Sequence, residues 1–145
     1  MSAFTPEELD YLASQRLGRL ATVGRDGAPH VVPVGFRYNP ETDTIDIGGH
    51  ELGRTKKWRD IGREPRVAFV VDDVLAPWQP RLIEIRGIAA QLEDGGRGFG
   101  RGFADELIRI APTRIASYGI DAGNPPRDRH VGGRDVQGGS AEPSK

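Results

Sequence analysis

The run Arg54-Thr55-Lys56-Lys57 places three cations within four residues, directly ahead of a segment with helical spacing. Cations are normally disfavoured in the first turn of a helix, where the macrodipole concentrates partial positive charge. The free amides of that turn and the cationic side chains beside them together suit a phosphate. The same run also reads as a solvated basic surface turn, and residue types alone leave both readings open. Lys145 is the only other lysine; Arg59, Arg63 and Arg66 continue the charge and could serve a longer anionic ligand. His50 stands just before the run, where it could touch a coenzyme or a substrate.

A second group of residues could admit a flat ring. Gly35 lies inside the alternating run Pro33-Val34-Gly35-Phe36, and Gly48-Gly49 and Gly87 fall on two other strand-like segments. A glycine within a strand marks either the close approach of a ligand or another backbone, or a bulge. Three such places in one small β protein make room for a planar ligand. Trp78, Phe99, Phe103 and Tyr118 stand in or beside loops and read as packing residues, although Trp78 between two prolines is a rigid platform.

Other chemistries are excluded. The chain has no cysteine, so disulfides, thiolate metal sites and cysteine nucleophiles are ruled out. No carboxylate or further histidine stands at ligand spacing from His30 or His50, so no metal site is expected. The glycines of Gly95–Gly102 match no phosphate-loop spacing. With 20 basic and 21 acidic residues the net charge is −1, which provides no bulk field for nucleic acid or anionic lipid. An anion must therefore be held locally. No charged-then-apolar leader pattern and no apolar run of membrane-spanning length is present, so a soluble cytoplasmic protein is expected.

The elements that must position these residues are short. Thr5, Pro6 and Glu8 form a Thr-x-x-Glu start signal for a helix ending near residues 15–18, with Leu9 and Leu12 on one face. Arg19–Val23 reads as a strand ended by Gly24-Arg25-Asp26-Gly27, a hairpin turn. In Pro29–Tyr38, His30, Val32, Val34, Phe36 and Tyr38 share one face, and Thr44–Gly49 follows with Ile45 and Ile47 inward. Gly53–Glu64 reads as a short helix carrying Trp58 and Ile61, stopped by Pro65. Arg66–Asp72 is a strand, Asp73–Pro80 a loop, and Arg81–Leu92 a long strand. Gly95–Gly102 is expected to be a mobile loop, either a lid or a plain connection. Leu107–Ala111 and Thr113–Ile120 could be one strand kinked at Pro112. Residues 1–121 thus form one mostly-β domain, a six-stranded antiparallel barrel with short helices. Residues 122–145, rich in Gly, Pro, Arg and Asp, read as a flexible tail or an arm on a partner subunit. The pattern does not choose among small barrels, and an oligonucleotide-binding barrel remains open.

Motif order narrows that choice. Leu17-Gly18-Arg19-Leu20-Ala21-Thr22-Val23, His30-Val31-Val32-Pro33-Val34-Gly35-Phe36 and Lys56-Lys57 ahead of Glu64-Pro65-Arg66-Val67 occur in sequence. Glu84-Ile85-Arg86-Gly87 and Arg114-Ile115-Ala116-Ser117-Tyr118-Gly119-Ile120 follow. Over about residues 4–120 this resembles the pyridoxamine 5'-phosphate oxidase-like, FMN-binding split β-barrel proteins. The likeness is to their actinobacterial branch of deazaflavin (coenzyme F420)-dependent oxidoreductases. In that branch the closing strand more usually has tryptophan where this chain has Tyr118.

The resemblance implies a homodimer with coenzyme sites at the subunit interface. It implies that Arg54, Thr55, Lys56 and Lys57 hold the coenzyme phosphate, and that Pro33, Val34 and Gly35 line the ring, with Gly48, Gly49 and His50 nearby. The implied reaction is hydride transfer from reduced deazaflavin to a conjugated organic acceptor, the proton coming from His50, Tyr38, Tyr118 or solvent. Two alternatives use the same fold: an FMN-dependent oxidoreductase, and a non-catalytic coenzyme- or haem-binding protein.

Overall fold

The computed structural model describes residues 1–120 and 132–136. Helix α1 (Pro6–Ala13) starts at the expected capping box: Thr5 Oγ1 accepts from the Glu8 amide at 3.1 Å, and Glu8 Oε1 accepts from the Thr5 amide at 2.9 Å. It ends at Ser14, somewhat earlier than its spacing predicts.

Strands β1 (Leu17–Val23), β2 (Pro29–Asn39) and β3 (Thr44–Ile47) form the expected meander. A 3₁₀ turn at Leu52–Arg54 and helix α2 (Lys56–Arg63) follow. The predicted single helix over 53–64 is thus two pieces, because Thr55 is extended and caps the second piece, its Oγ1 accepting from the Trp58 amide. β4 (Arg66–Leu75) and β5 (Gln79–Leu92) pair from Arg66↔Ile88 to Leu75↔Gln79. The loop predicted over Asp73–Pro80 is therefore only a tight turn. Pro80 sits second in its strand, where a missing N–H is tolerated, and Val74 and Leu75 continue the ladder.

β6 (Leu107–Tyr118) is one strand, bulged where Arg86 and Gly87 oppose Arg114 and Pro112. β7 (Gly132–Asp135) lies within the segment expected to be a flexible tail, yet it pairs with Arg114–Ser117 of β6. It is fastened by Arg134, which donates to both carboxylate oxygens of the buried Glu8 at 2.5 and 2.9 Å and to the Ala3 carbonyl. The remainder of that tail lies outside the described residues.

The sheet order β3-β2-β1-β4-β5-β6 closes through β3–β6 pairing, giving a six-stranded antiparallel barrel with β7 as an added strand. Alternate residues of each strand point inward. Leu20, Ile45, Ile47, Phe69, Val71, Ile83, Ile85, Ile108, Ile110 and Ile115 are fully buried, each contributing about 1.5–3 kcal/mol of burial. The β3–β6 seam also holds a buried ion pair. Asp46 accepts from Arg109 Nε and Nη2 at 2.9 and 3.0 Å, with Asn39 and Thr44 on the same carboxylate.

The two helices cover opposite ends. Tyr11 of α1 donates to Asp73, late in β4, whereas Asp60 of α2 accepts from Thr22, late in the antiparallel β1. Gln91, late in β5, donates to the Trp58 carbonyl. The α2 end therefore collects the starts of β2, β4 and β6 and the ends of β1, β3 and β5.

Candidate functional site

The four residues of the basic turn have different environments. Lys56 is engaged: its Nζ lies 3.1 and 3.2 Å from the two carboxylate oxygens of Asp60, which is 1% exposed and also accepts from Thr22 and Arg63. Burial alone would raise the Asp60 pKa. Its hydrogen bonds from Lys56 and Thr22, with the charges of Lys56 and Arg63, outweigh that and hold it below the ordinary carboxylate range. Arg54 is exposed and pairs with exposed Glu51, a weak contact. The Thr55 hydroxyl proton is committed to the Leu52 carbonyl, and its oxygen caps α2 by accepting from the Trp58 amide.

Lys57 differs from all three. It is half-buried, burial lowers its pKa, and no carboxylate faces it among the described residues. Its amide and that of Lys56 are the first of α2 and have no acceptor within the helix. The half-buried ammonium has no anion among the described residues, and the free first-turn amides of the same helix are further groups that suit a phosphate.

Beyond the turn, charge divides. Arg25, Asp26, Lys56, Arg59, Asp60 and Arg63 line an open hollow of about 440 Å³. Arg66 does not line it, and Glu64 binds its guanidinium at 2.8 and 2.9 Å.

The glycines also separate. β3 pairs with β2 only over Phe36–Asn39, so Pro29–Gly35 keeps β1 on one side and has no strand on the other among the described residues. Pro33 is exposed, the Val34 side chain is in the core at 5% exposure, and a Cβ built on Gly35 meets nothing within 4 Å. Of the predicted ring-lining residues, Pro33 and Gly35 thus face open space, and Val34 has only its backbone to offer. Gly48 is filled instead by Phe99, whose ring lies 2.7 Å from where a Cβ would stand. Gly87 is filled by the Ala111 carbonyl across the bulge, at 2.3 Å. Gly49 abuts Leu52 and its carbonyl accepts from the Ala104 amide.

His50 follows β3 at the same end of the barrel. Its Nδ1 lies 2.6 Å from the Gly102 carbonyl, and its ring packs on Phe103 at 4.7 Å. Phe103 stacks on Phe99 at 5.5 Å, and the Arg37 guanidinium covers Phe99 at 4.4 Å while donating to the Gly98 carbonyl. The glycine-rich segment, which contains a 3₁₀ turn at Gly96–Phe99, is folded onto the end of β3 by this row of rings. Residue types did not indicate that row, nor the Asp60 cluster; each is completed by partners distant in sequence, His50 and Arg37 in the row and Thr22 in the cluster. His30 Nδ1 is buried without a partner. Tyr38 donates to Asp43 at 2.6 Å and Tyr118 pairs opposite Leu82, both at the α1 end. No cluster of metal-ligating residues occurs among the described residues, and no helix is long and apolar enough to cross a membrane.

A closed barrel with a basic helix start, an open strand edge and an unfilled glycine on that edge forms the candidate site. The family model described as pyridoxamine 5'-phosphate oxidase matches residues 4–129, and the chain belongs to that family. It is 48% identical over 120 residues, covering 81% of this chain and 84% of the relative, to the 5a,11a-dehydrotetracycline/5a,11a-dehydrooxytetracycline reductase of Streptomyces rimosus. A solved F420 reductase matches with a TM-score of 0.61 at 26% identity, over 77% of this chain and 98% of that one. The FAD-binding protein of Mycobacterium smegmatis shares the fold, with a TM-score of 0.58 at 23% identity over 81% and 96% of the two chains. Family membership and the reductase relative together support an oxidoreductase on this barrel.

Proposed function

We propose that the chain is a coenzyme F420-dependent reductase, a cytoplasmic homodimer that passes a hydride from reduced deazaflavin to a conjugated polycyclic acceptor. The observation that carries the reading is Lys57, a half-buried ammonium with no carboxylate partner among the described residues. The free edge of β2 lies at the same end. The residues fit such a coenzyme. Lys57 and the first amides of α2 would hold the phosphate, Pro33, Gly35 and the backbone of Val34 would border the ring, and Arg25 and Arg59 would take a longer anionic tail.

The coenzyme supplies the hydride; the chain orients it, excludes water and handles the proton. The Streptomyces rimosus relative supports a polycyclic acceptor with a reducible double bond. The homodimer is supported by the apolar outer face of β1 and β2, where Leu17 and Val31 are 51% and 61% exposed.

Titration of the purified protein with F420, FMN and FAD tests the reading, with sedimentation to measure assembly. Tight F420 binding and oxidation of its reduced form by a polycyclic acceptor are expected. FMN or FAD binding without F420 binding would replace the coenzyme assigned. Tight binding without turnover across a broad acceptor panel would favour a carrier protein.

A further inference from the structure

The geometry points to His50 as the residue that delivers the proton in this reaction, from Nε2, its tautomer being set by the carbonyl of Gly102. This rests on the reductase reading above and deepens it.

His50, Tyr38 and Tyr118 are the proton donors expected from the sequence, and the topology separates these three. β2 runs from the α2 end to the α1 end and carries Tyr38 near its finish; β6 runs the same way and ends at Tyr118. β3 runs back, so His50 emerges at the α2 end, on the connection that leads through the 3₁₀ turn to Lys57. Tyr38 is further removed by its chemistry. Its hydroxyl proton is held on Asp43 at 2.6 Å, and burial followed by that carboxylate raises its pKa.

His50 is held in one orientation. A carbonyl oxygen only accepts, so the 2.6 Å contact with Gly102 requires a hydrogen on Nδ1 in either protonation state. The neutral ring is then the Nδ1–H tautomer, with the lone pair on Nε2. The row Phe103, Phe99 and Arg37 fixes the ring plane from behind, and Phe99 is itself seated in the gap left by Gly48. The side chain is nonetheless exposed, as proton exchange requires.

An acceptor with a conjugated carbonyl that has received hydride from reduced deazaflavin is left as an enolate. The Nε2–H bond of the imidazolium breaks as the enolate gains its O–H bond. The neutral Nδ1–H imidazole that remains takes a proton back from water.

The test pairs a spectrum with kinetics. Nitrogen-15 spectra of the full chain, with the His50 signals identified by their loss in His50→Asn, are expected to show Nδ1–H in the neutral ring. The asparagine amide can still donate to Gly102 but holds no exchangeable acid. His50→Asn is expected to keep F420 affinity and KM within a few-fold while kcat falls about 100-fold or more. His50→Ala, which also loses the tie to Gly102, is expected to lower kcat at least as far. An Nε2–H tautomer, or full kcat in His50→Asn, would overturn the assignment. A wild-type protein that binds no F420 overturns the underlying reading instead, and the role of His50 falls with it.

Discussion

Lys56 Nζ lies 3.1 Å from the buried carboxylate of Asp60, whereas its neighbour Lys57 faces no carboxylate among the described residues. One residue of the pair neutralises a buried charge and the other remains available to an outside anion. Lys57→Ala is therefore expected to weaken coenzyme binding by about 1.5–3 kcal/mol, the value of a charge-assisted hydrogen bond. Its folding stability should hardly change. Lys56→Ala should do the reverse, costing about 1–2 kcal/mol of stability because Asp60 keeps Arg63 and Thr22. Urea melts and coenzyme titration of both variants separate the two roles; equal affinity losses would place Lys56 on the phosphate as well.

The strand glycines are expected to differ as sharply. A Cβ on Gly35 meets nothing within 4 Å, so Gly35→Val should fold with unchanged midpoint and fail to bind the ring. Gly48→Ala drives a methyl into Phe99, 2.7 Å from its position, and should lose about 1–3 kcal/mol of stability. Thermal melts beside coenzyme titration distinguish these outcomes. A destabilised Gly35→Val would show that the glycine serves packing.

These contrasts mark what residue order could reveal. The capping box at Thr5 and Glu8, the Asp26-Gly27 turn and the alternation through β2 are local signals, and each element forms where they stand. The β4–β5 hairpin was hidden because Pro77 and Pro80 read as loop, although the ladder runs through both flanks. The division of labour between Lys56 and Lys57 was hidden for another reason. Lys56 and Asp60 stand four apart on α2, which local spacing encodes, but the burial of that carboxylate against Thr22 of β1 appears only in the fold. Phe99 in the Gly48 gap is the same kind of fact: a glycine's vacancy shows in sequence, its occupant only in the fold.

The barrel seam should give way in acid. Burial pushes the Asp46 carboxyl up, but Arg109, Asn39 and Thr44 together outweigh it and hold its pKa below the ordinary value of 3.8. A carboxylate whose folded pKa is depressed adds stability that is fully present above the unfolded value. That stability disappears as pH falls from about 4 through the depressed pKa. Urea unfolding at a series of pH values should show this loss, and Asp46→Asn should lessen it. Arg109→Met, which leaves the buried carboxylate without its guanidinium, is expected to cost about 3–5 kcal/mol at neutral pH. A smaller loss would mean that Asn39 and Thr44 alone can keep the charge.

Removing the tail tests whether it is an appendage. Arg134 supplies the only guanidinium on Glu8 among the described residues, and Glu8 is 1% exposed while also capping the Thr5 amide. Its pKa is set by burial, which raises it, against the stronger opposing pull of Arg134 and the Thr5 amide. A chain ending at residue 121 should therefore lose about 1–3 kcal/mol, less than the ~3–5 kcal/mol of a fully buried pair, because Arg134 itself is partly exposed. Arg134→Met in the full chain should reproduce most of that loss if the ion pair carries it. If truncation destabilises and Arg134→Met does not, the pairing of β7 with Arg114–Ser117 is the stabilising contact. Neither change should alter coenzyme affinity within one subunit, since Glu8 and β7 lie at the α1 end and Lys57 at the other. A loss of affinity on truncation, with Arg134→Met unaffected, would show that the rest of the tail reaches a coenzyme site, as an arm on a partner subunit would.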